Sequence, residues 1–198
     1  MATSIWRASS SRRLQLAPVP KHTEDLFVVE CGDHALGSAI ISDDAVHRFE
    51  LWRTWDDTKP RMTFVMLNPS TADAVKSDAT ITRCIGFAMR EGCGAIDVVN
   101  LFSKRVTRPV HLFEGDEPEH PYNLGYVRSQ IEAAGRLGWA VVAAWGASGY
   151  AQNSDTYDWL AKQKEVPLLC LGRTKDGAPR HPLYLKAETP LTAFVGPW

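Results

Sequence analysis

Thr63-Phe64-Val65-Met66-Leu67-Asn68-Pro69-Ser70 is the stretch whose reading decides the fold. Thr63 to Leu67 has the length and near-continuous apolar character of a strand buried on both faces, as parallel sheets require. Asn68 and Pro69 then end it, because both favour turns and proline has no N–H to give a ladder. Downstream, Asp78 or Thr80 can cap a helix in which Ile81, Ile85, Ala88 and Met89 share one face and Gly92 closes the end. Ala95 to Leu101 is a second apolar strand, Tyr122 to Leu137 a helix, Trp139 to Ala144 a third strand, Tyr150 to Lys164 a helix and Leu168 to Leu171 a fourth strand. Strands alternating with helices predict an α/β fold: three layers, α-β-α, around a central, mostly parallel four-stranded sheet.

Upstream, Phe27 to Glu30, Gly37 to Ile41 and Val46 to Trp52 read as strands, with a Ser42-Asp43-Asp44 turn making an N-terminal β-hairpin extension. Phe49 and Leu51 alternate with Arg48 and Glu50, the pattern of a half-buried strand. Residues 1–24 hold Ser9 to Ser11, Arg7, Arg12, Arg13, Pro18 and Pro20 and read as a flexible arm. Residues 25–198 read as a single domain. The proline-rich stretch from Phe102 to Pro121 is too long for a plain connector and is a candidate functional loop.

A net charge of −1 shows no global basic field, although a local basic patch on a neutral protein can still grip phosphate. The four cysteines, Cys31, Cys84, Cys93 and Cys170, form no C-x-x-C pair and lie in or beside apolar stretches, so they read as buried thiols. No metal and no cofactor is expected. No apolar run approaches the ~20 residues of a membrane span, and the N-terminus has no signal-like apolar region. The expected protein is cytoplasmic, monomeric and without a membrane partner. Phosphate-binding and dinucleotide-binding glycine motifs are missing, as is the nucleophile elbow of α/β-hydrolases.

Polar residues instead gather at strand ends, where open α/β sheets bind ligands. Asn68 ends the first strand and Asn100 the second, while Trp145-Gly146 follows the third. Each also has a plainer reading: Asn68-Pro69 as a turn, Asn100 as a structural cap, Trp145 as core. His181 sits in a segment with Arg173, Lys175, Arg180 and Lys186, either a solvated loop or one that grips phosphate and presents a histidine. Lys104, Arg105 and Arg108 follow Asn100 and are expected to add to the same basic face.

In order and context, these segments resemble the uracil-DNA glycosylase superfamily over roughly residues 62 to 195. Leu67-Asn68-Pro69-Ser70-Thr71 is similar to its first motif, Val98-Val99-Asn100 to its base-reading strand and Ala143-Ala144-Trp145-Gly146 to its Leu-Leu-Trp-Gly segment. Arg180-His181-Pro182-Leu183-Tyr184-Leu185 is similar to its His-Pro-Ser loop. The Leu-Asn-Pro-Ser and His-Pro-Leu-Tyr-Leu runs also resemble an uncharacterised bacterial and phage domain family.

The resemblance implies a nucleotide flipped from double-stranded DNA and hydrolysis of its N-glycosidic bond. Asn68 would position water and His181 would hydrogen-bond the leaving base. Asn100, with Pro69 and Ser70, would recognise the base, and Leu185 would wedge into the duplex. Arg180, Lys186, Arg173, Lys175, Lys104 and Arg105 would contact DNA. Ser70 stands where uracil-specialised members carry a tyrosine against C5 of the pyrimidine, which points to a C5-substituted base. The stacking aromatic is open among Phe87, Phe102 and Trp145. A non-catalytic nucleic-acid-binding module, and a hydrolase or transferase of free nucleotides, are the alternatives.

Overall fold

The computed structural model describes residues 26–30, 36–70, 72 and 77–196. The expected arm and Cys31 lie outside the described residues. Among the described residues eight strands form one sheet: β1 (Leu26–Glu30), β2 (Leu36–Ser42), β3 (Arg48–Thr54), β4 (Arg61–Met66), β5 (Ala95–Asn100), β6 (Ala140–Ala143), β7 (Leu168–Cys170) and β8 (Thr192–Ala193). The helices are α1 (Ala79–Arg90), α2 (Asn123–Leu137) and α3 (Asp155–Lys162).

The fold is α/β, but the sheet is larger and more mixed than a four-stranded parallel core with a separate hairpin. Its order is β1-β2-β3-β5-β4-β6-β7-β8. β5, β4, β6 and β7 run parallel to one another, while β1, β2 and β3 join on one side and β8 on the other through antiparallel pairs. Continuity comes from β3, whose Leu51 to Thr54 lie opposite Val98 to Ala95 of β5. The hairpin therefore extends the same sheet.

Period-two alternation divides the core into two layers. Phe64, Val98 and Val142 pack with Ile81, Cys84, Phe87 and Ala88 of α1. Val65, Val99 and Ala143 pack on the other face with Val127 and Ile131 of α2 and Leu160 of α3. The α1 stripe is rotated slightly from the expected one: Cys84 and Phe87 are buried, whereas Met89 faces out. Asp78 caps this helix, its Oδ1 accepting from the Ile81 N–H at 2.8 Å. Ser154 does the same for α3, and Gly138 in the left-handed conformation closes α2.

β3 departs furthest from its sequence pattern, because Arg48, Phe49, Glu50 and Leu51 are all buried. A register shift at Ile40/Ile41 breaks the alternation, and β3 is interior to the sheet. Glu50 accepts from Gln130 of α2 at 2.6 Å, while Arg48 donates to the Ala72 carbonyl at 2.8 Å.

The 102–121 stretch is a strap tied down by Lys104. Lys104 is buried, and its ammonium donates to the carbonyls of Leu112 (3.3 Å), Asp116 (2.8 Å) and Glu114. Lys104→Ala would leave these carbonyls without their donor, so a loss of about 2–4 kcal/mol in folding free energy is expected from denaturant unfolding. Cys84, Cys93 and Cys170 are buried free thiols, and burial raises the Cys84 pKa. Among the described residues no helix is long and apolar enough to cross a membrane.

Candidate functional site

The register of the parallel strands aligns the polar segments along one edge. Met66 of β4 lies opposite Asn100 of β5, Val65 opposite Ala143 of β6, and Ala143 opposite Cys170 of β7. The ladder continues past the strands: Leu101 N–H donates to Met66 O, Phe102 N–H to Leu67 O and Ala144 N–H to Val65 O, at 2.8–2.9 Å. Asn68, Asn100 and Trp145-Gly146 therefore leave the sheet side by side. The fourth segment returns to the row through Arg180 N–H, which donates to Gly172 O at 3.0 Å just after β7. Gly146 has φ +80°, and a Cβ placed on it would stand 3.3 Å from the His181 Cβ. A side chain there would be strained in its backbone and pressed against the histidine, so Gly146 gives His181 its seat.

Asn68 is half-buried, and its amide nitrogen is fully engaged. Nδ2 donates to Pro69 O at 2.9 Å and Val106 O at 2.8 Å, while Val106 N–H returns a bond to Pro69 O at 2.9 Å. These bonds pin the β4 exit to the strap. They leave Oδ1 as the atom of the side chain that no described residue engages, an acceptor suited to a water molecule but not to taking its proton. Pro69 is buried and Ser70 half-buried at the mouth of this turn.

Asn100 is 1% exposed, and neither polar atom of its side chain has a partner among the described residues. An amide so buried normally has its hydrogen bonds satisfied, because leaving them unmade costs free energy. Strand alternation places it on the α1 face. On that face two β3 guanidinium groups hold residues before α1: Arg48 donates to Ala72 O, and Arg53 Nε to Ser77 Oγ at 3.3 Å. The main chain of Asn100 is fixed from the opposite face: Asn123 Nδ2 donates to the Asn100 carbonyl at 3.1 Å and the Leu101 carbonyl at 2.9 Å. Ser154 Oγ also donates to Leu101 O. Asn123 escapes a sequence reading because an asparagine opening a helix reads as a cap.

His181 is half-buried. Its Nδ1 accepts from the Leu183 N–H at 3.3 Å, which puts the ring proton on Nε2. Burial lowers its pKa from 6.5, and the nearby Asp78 carboxylate opposes that only in part. The site therefore presents a neutral imidazole N–H donor.

The remaining expected residues divide. Arg180, Lys175 and Lys186 are exposed. Arg173 is exposed too but donates to Ala193 O at 3.0 Å and lies over the Phe194 ring. Lys104 drops out of the basic face, since its ammonium is buried within the strap. Arg105 is half-buried and donates to Ala45 O at 3.1 Å, tying the strap to the β2–β3 turn. Arg108 is exposed on the strap.

Leu185, expected as a wedge, is half-buried. It packs against the α1-side core, and Arg83 donates to its carbonyl. A single 3₁₀ turn over Pro182–Tyr184 instead turns Tyr184 outward, 83% exposed, with its ring 5.7 Å from that of His181. Of the proposed stacking aromatics, Phe102 and Phe87 are core residues. Trp145 meets Tyr157 and Phe194 edge-on at the wall of a small cavity.

No curated protein and no solved structure matches the chain. The family model described as "Protein of unknown function (DUF1643)" matches residues 48–183, which take in β3, Asn68, Asn100, Trp145-Gly146 and His181 and end before Tyr184 and Leu185. On that match the chain belongs to the DUF1643 family.

Proposed function

We propose that this protein is a DNA glycosylase of the uracil-DNA glycosylase type, which flips a C5-substituted pyrimidine from duplex DNA and hydrolyses its N-glycosidic bond. The observation that carries the reading is the buried Asn100 amide, without a partner among the described residues and set in the same strand-end row as the Nε2–H donor of His181. A primary amide offers a carbonyl beside an N–H₂, the complement of a pyrimidine edge, and a ligand would satisfy atoms that no described residue satisfies. The parallel strands β5, β4, β6 and β7 supply the sheet such an enzyme needs.

In this reading, water held by Asn68 Oδ1 adds to C1′ of the deoxyribose as the C1′–N bond breaks. The bonding electron pair leaves with the base, and the His181 N–H stabilises the resulting anion without donating its proton in full. The water loses its proton to solvent, giving a free base and an abasic sugar. Ser70 leaves the C5 side of the base unblocked. Repair of modified bases and defence against foreign DNA carrying them are the settings that fit this chemistry.

Tyr184 takes the part first given to Leu185, entering the stack beside the flipped nucleotide, with Arg180, Lys186 and Lys175 on the phosphates. Stacking of an aromatic on a base is worth about 1–3 kcal/mol, so Tyr184→Ala should weaken duplex binding by roughly 5- to 100-fold. Leu185→Ala should instead lower thermal stability. Fluorescence anisotropy and thermal unfolding of the two variants separate these roles.

The test of the function is incubation with duplexes carrying uracil, thymine, 5-hydroxymethyl pyrimidine or its glucosylated form, followed by alkali. Strand breaks at a C5-substituted base are expected. Excision of uracil alone would remove the argument from Ser70. Absence of a carboxylate at Asn68 favours one other reading, a binding module without turnover, which would hold the duplexes and cut none.

A further inference from the structure

α1 begins where the strands end. It is the crossover between the parallel strands β4 and β5, so it runs back along the sheet and its first turn stands at their carboxyl edge. It covers the face that buries Phe64, Val98 and Val142. The 3₁₀ turn Pro182–Tyr184 packs against the same helix, and Arg83, on its second turn, donates to the Leu185 carbonyl. Asp78, the cap of α1, is thereby brought near His181: it is the charged group that raises the histidine's pKa against the larger effect of burial. Asn100 lies on this face too, 1% exposed, with neither polar atom of its side chain partnered among the described residues. A ligand that satisfies Asn100 and meets the His181 ring lies against the start of α1.

The cap occupies only half of the Asp78 carboxylate. Oδ1 accepts from the Ile81 N–H at 2.8 Å, while Oδ2 is engaged by no described residue, and the residue is half-buried. Capping asks for an acceptor oxygen and not for a charge, since asparagine caps as well as aspartate. Cleavage of an N-glycosidic bond does ask for one. The base leaves as an anion, and positive charge develops on C1′ and the ring oxygen of the sugar. His181 answers the first charge, but Asn68 and Asn100 are neutral amides with no charge to set against the second. Glu119, also at this edge, is taken up by the start of α3, where it accepts from the Asp155 and Thr156 N–H groups and from Thr156 Oγ1.

We infer that Asp78 is the carboxylate of this site: its Oδ2 faces the deoxyribose of the flipped nucleotide and stabilises the positive charge that develops there as the base departs. The role rests on the glycosylase reading. No proton passes to Asp78; water held by Asn68 adds to C1′ and loses its proton to solvent, as before.

Two abasic-site mimics, placed in otherwise identical duplexes, isolate the charge: a pyrrolidine, cationic at neutral pH, and the uncharged tetrahydrofuran. The full chain is expected to bind the pyrrolidine duplex about tenfold or more tightly than the tetrahydrofuran duplex. Asp78→Asn should lose that preference while its thermal unfolding stays that of the wild type. Its single-turnover excision should be slower by about 10²–10³-fold, with no weakening of duplex binding. Asp78→Ser also keeps the cap and should behave in the same way. A preference absent from the wild type, or retained by both variants, overturns the assignment, as does excision by both at the wild-type rate. The two readings fail differently. A preference that depends on Asp78, with no base excised from any duplex, sinks the glycosylase reading and leaves the carboxylate facing the sugar. Excision that both variants perform as fast as the wild type removes Asp78 and leaves the glycosylase reading intact.

Discussion

His181→Ala is expected to lower the rate of base excision by about 10²–10³-fold, the loss typical of removing one preorganised donor from a developing anion. Folding should be little changed, because the imidazole is half-buried and its one hydrogen bond among the described residues is from the N–H of its own turn. The pH profile distinguishes this role from conventional acid catalysis. Burial holds the His181 pKa below 6.5, so the ring is already neutral at pH 7 and remains a donor as pH rises. Excision should stay level from pH 7 to 9. A rate falling tenfold per unit over that range would mean that a cationic acid is required, and the neutral-donor account would be wrong.

The second large effect lies away from the site, at Glu50. This carboxyl is buried between β3 and α2, and desolvation, reinforced by the negative charge of Asp97, raises its pKa from 4.5 to about 7. The Gln130 hydrogen bond and Arg61 offset only part of that. In the folded protein the group therefore keeps its proton to higher pH than in the unfolded chain. Its contribution to stability is fully present below pH 4.5 and is lost as pH rises through about 7. A rise of that size corresponds to about 3 kcal/mol. Glu50→Gln keeps a polar group opposite Gln130 and removes the charge. It should raise stability at pH 8 by up to about 3 kcal/mol and leave stability at pH 5 nearly unchanged. Denaturant unfolding at the two pH values measures this directly. A wild-type protein equally stable relative to the variant at both would contradict it.

Glu50 also shows where sequence reading stops. The parallel strands and three helices were legible because apolar runs such as 63–67 and the helical spacing from Ile81 to Ala88 are local signals. Sheet membership is not local. Arg48 and Glu50 alternate with Phe49 and Leu51 as a solvent-facing row would, yet β3 is interior, and both are buried, Glu50 bonded to Gln130 of α2 and Arg48 to Ala72.

The site divides along the same line. The row of Asn68, Asn100 and Gly146 was readable because a parallel sheet brings its strand ends together. The rotation of individual side chains was not. Lys104 reads as a surface cation until three strap carbonyls are found around its ammonium. Leu185 packs against the core while Tyr184 is exposed, because one 3₁₀ turn decides which of two adjacent residues faces solvent.

Mass analysis of what is released from a duplex carrying one glucosylated 5-hydroxymethyl pyrimidine tests the central claim most directly. The account predicts the intact modified base as the released molecule, DNA left abasic with an unbroken backbone, and no release by an Asn100→Leu variant. Release of the sugar alone, release of nucleotides, or the same product from the Asn100→Leu variant would contradict it.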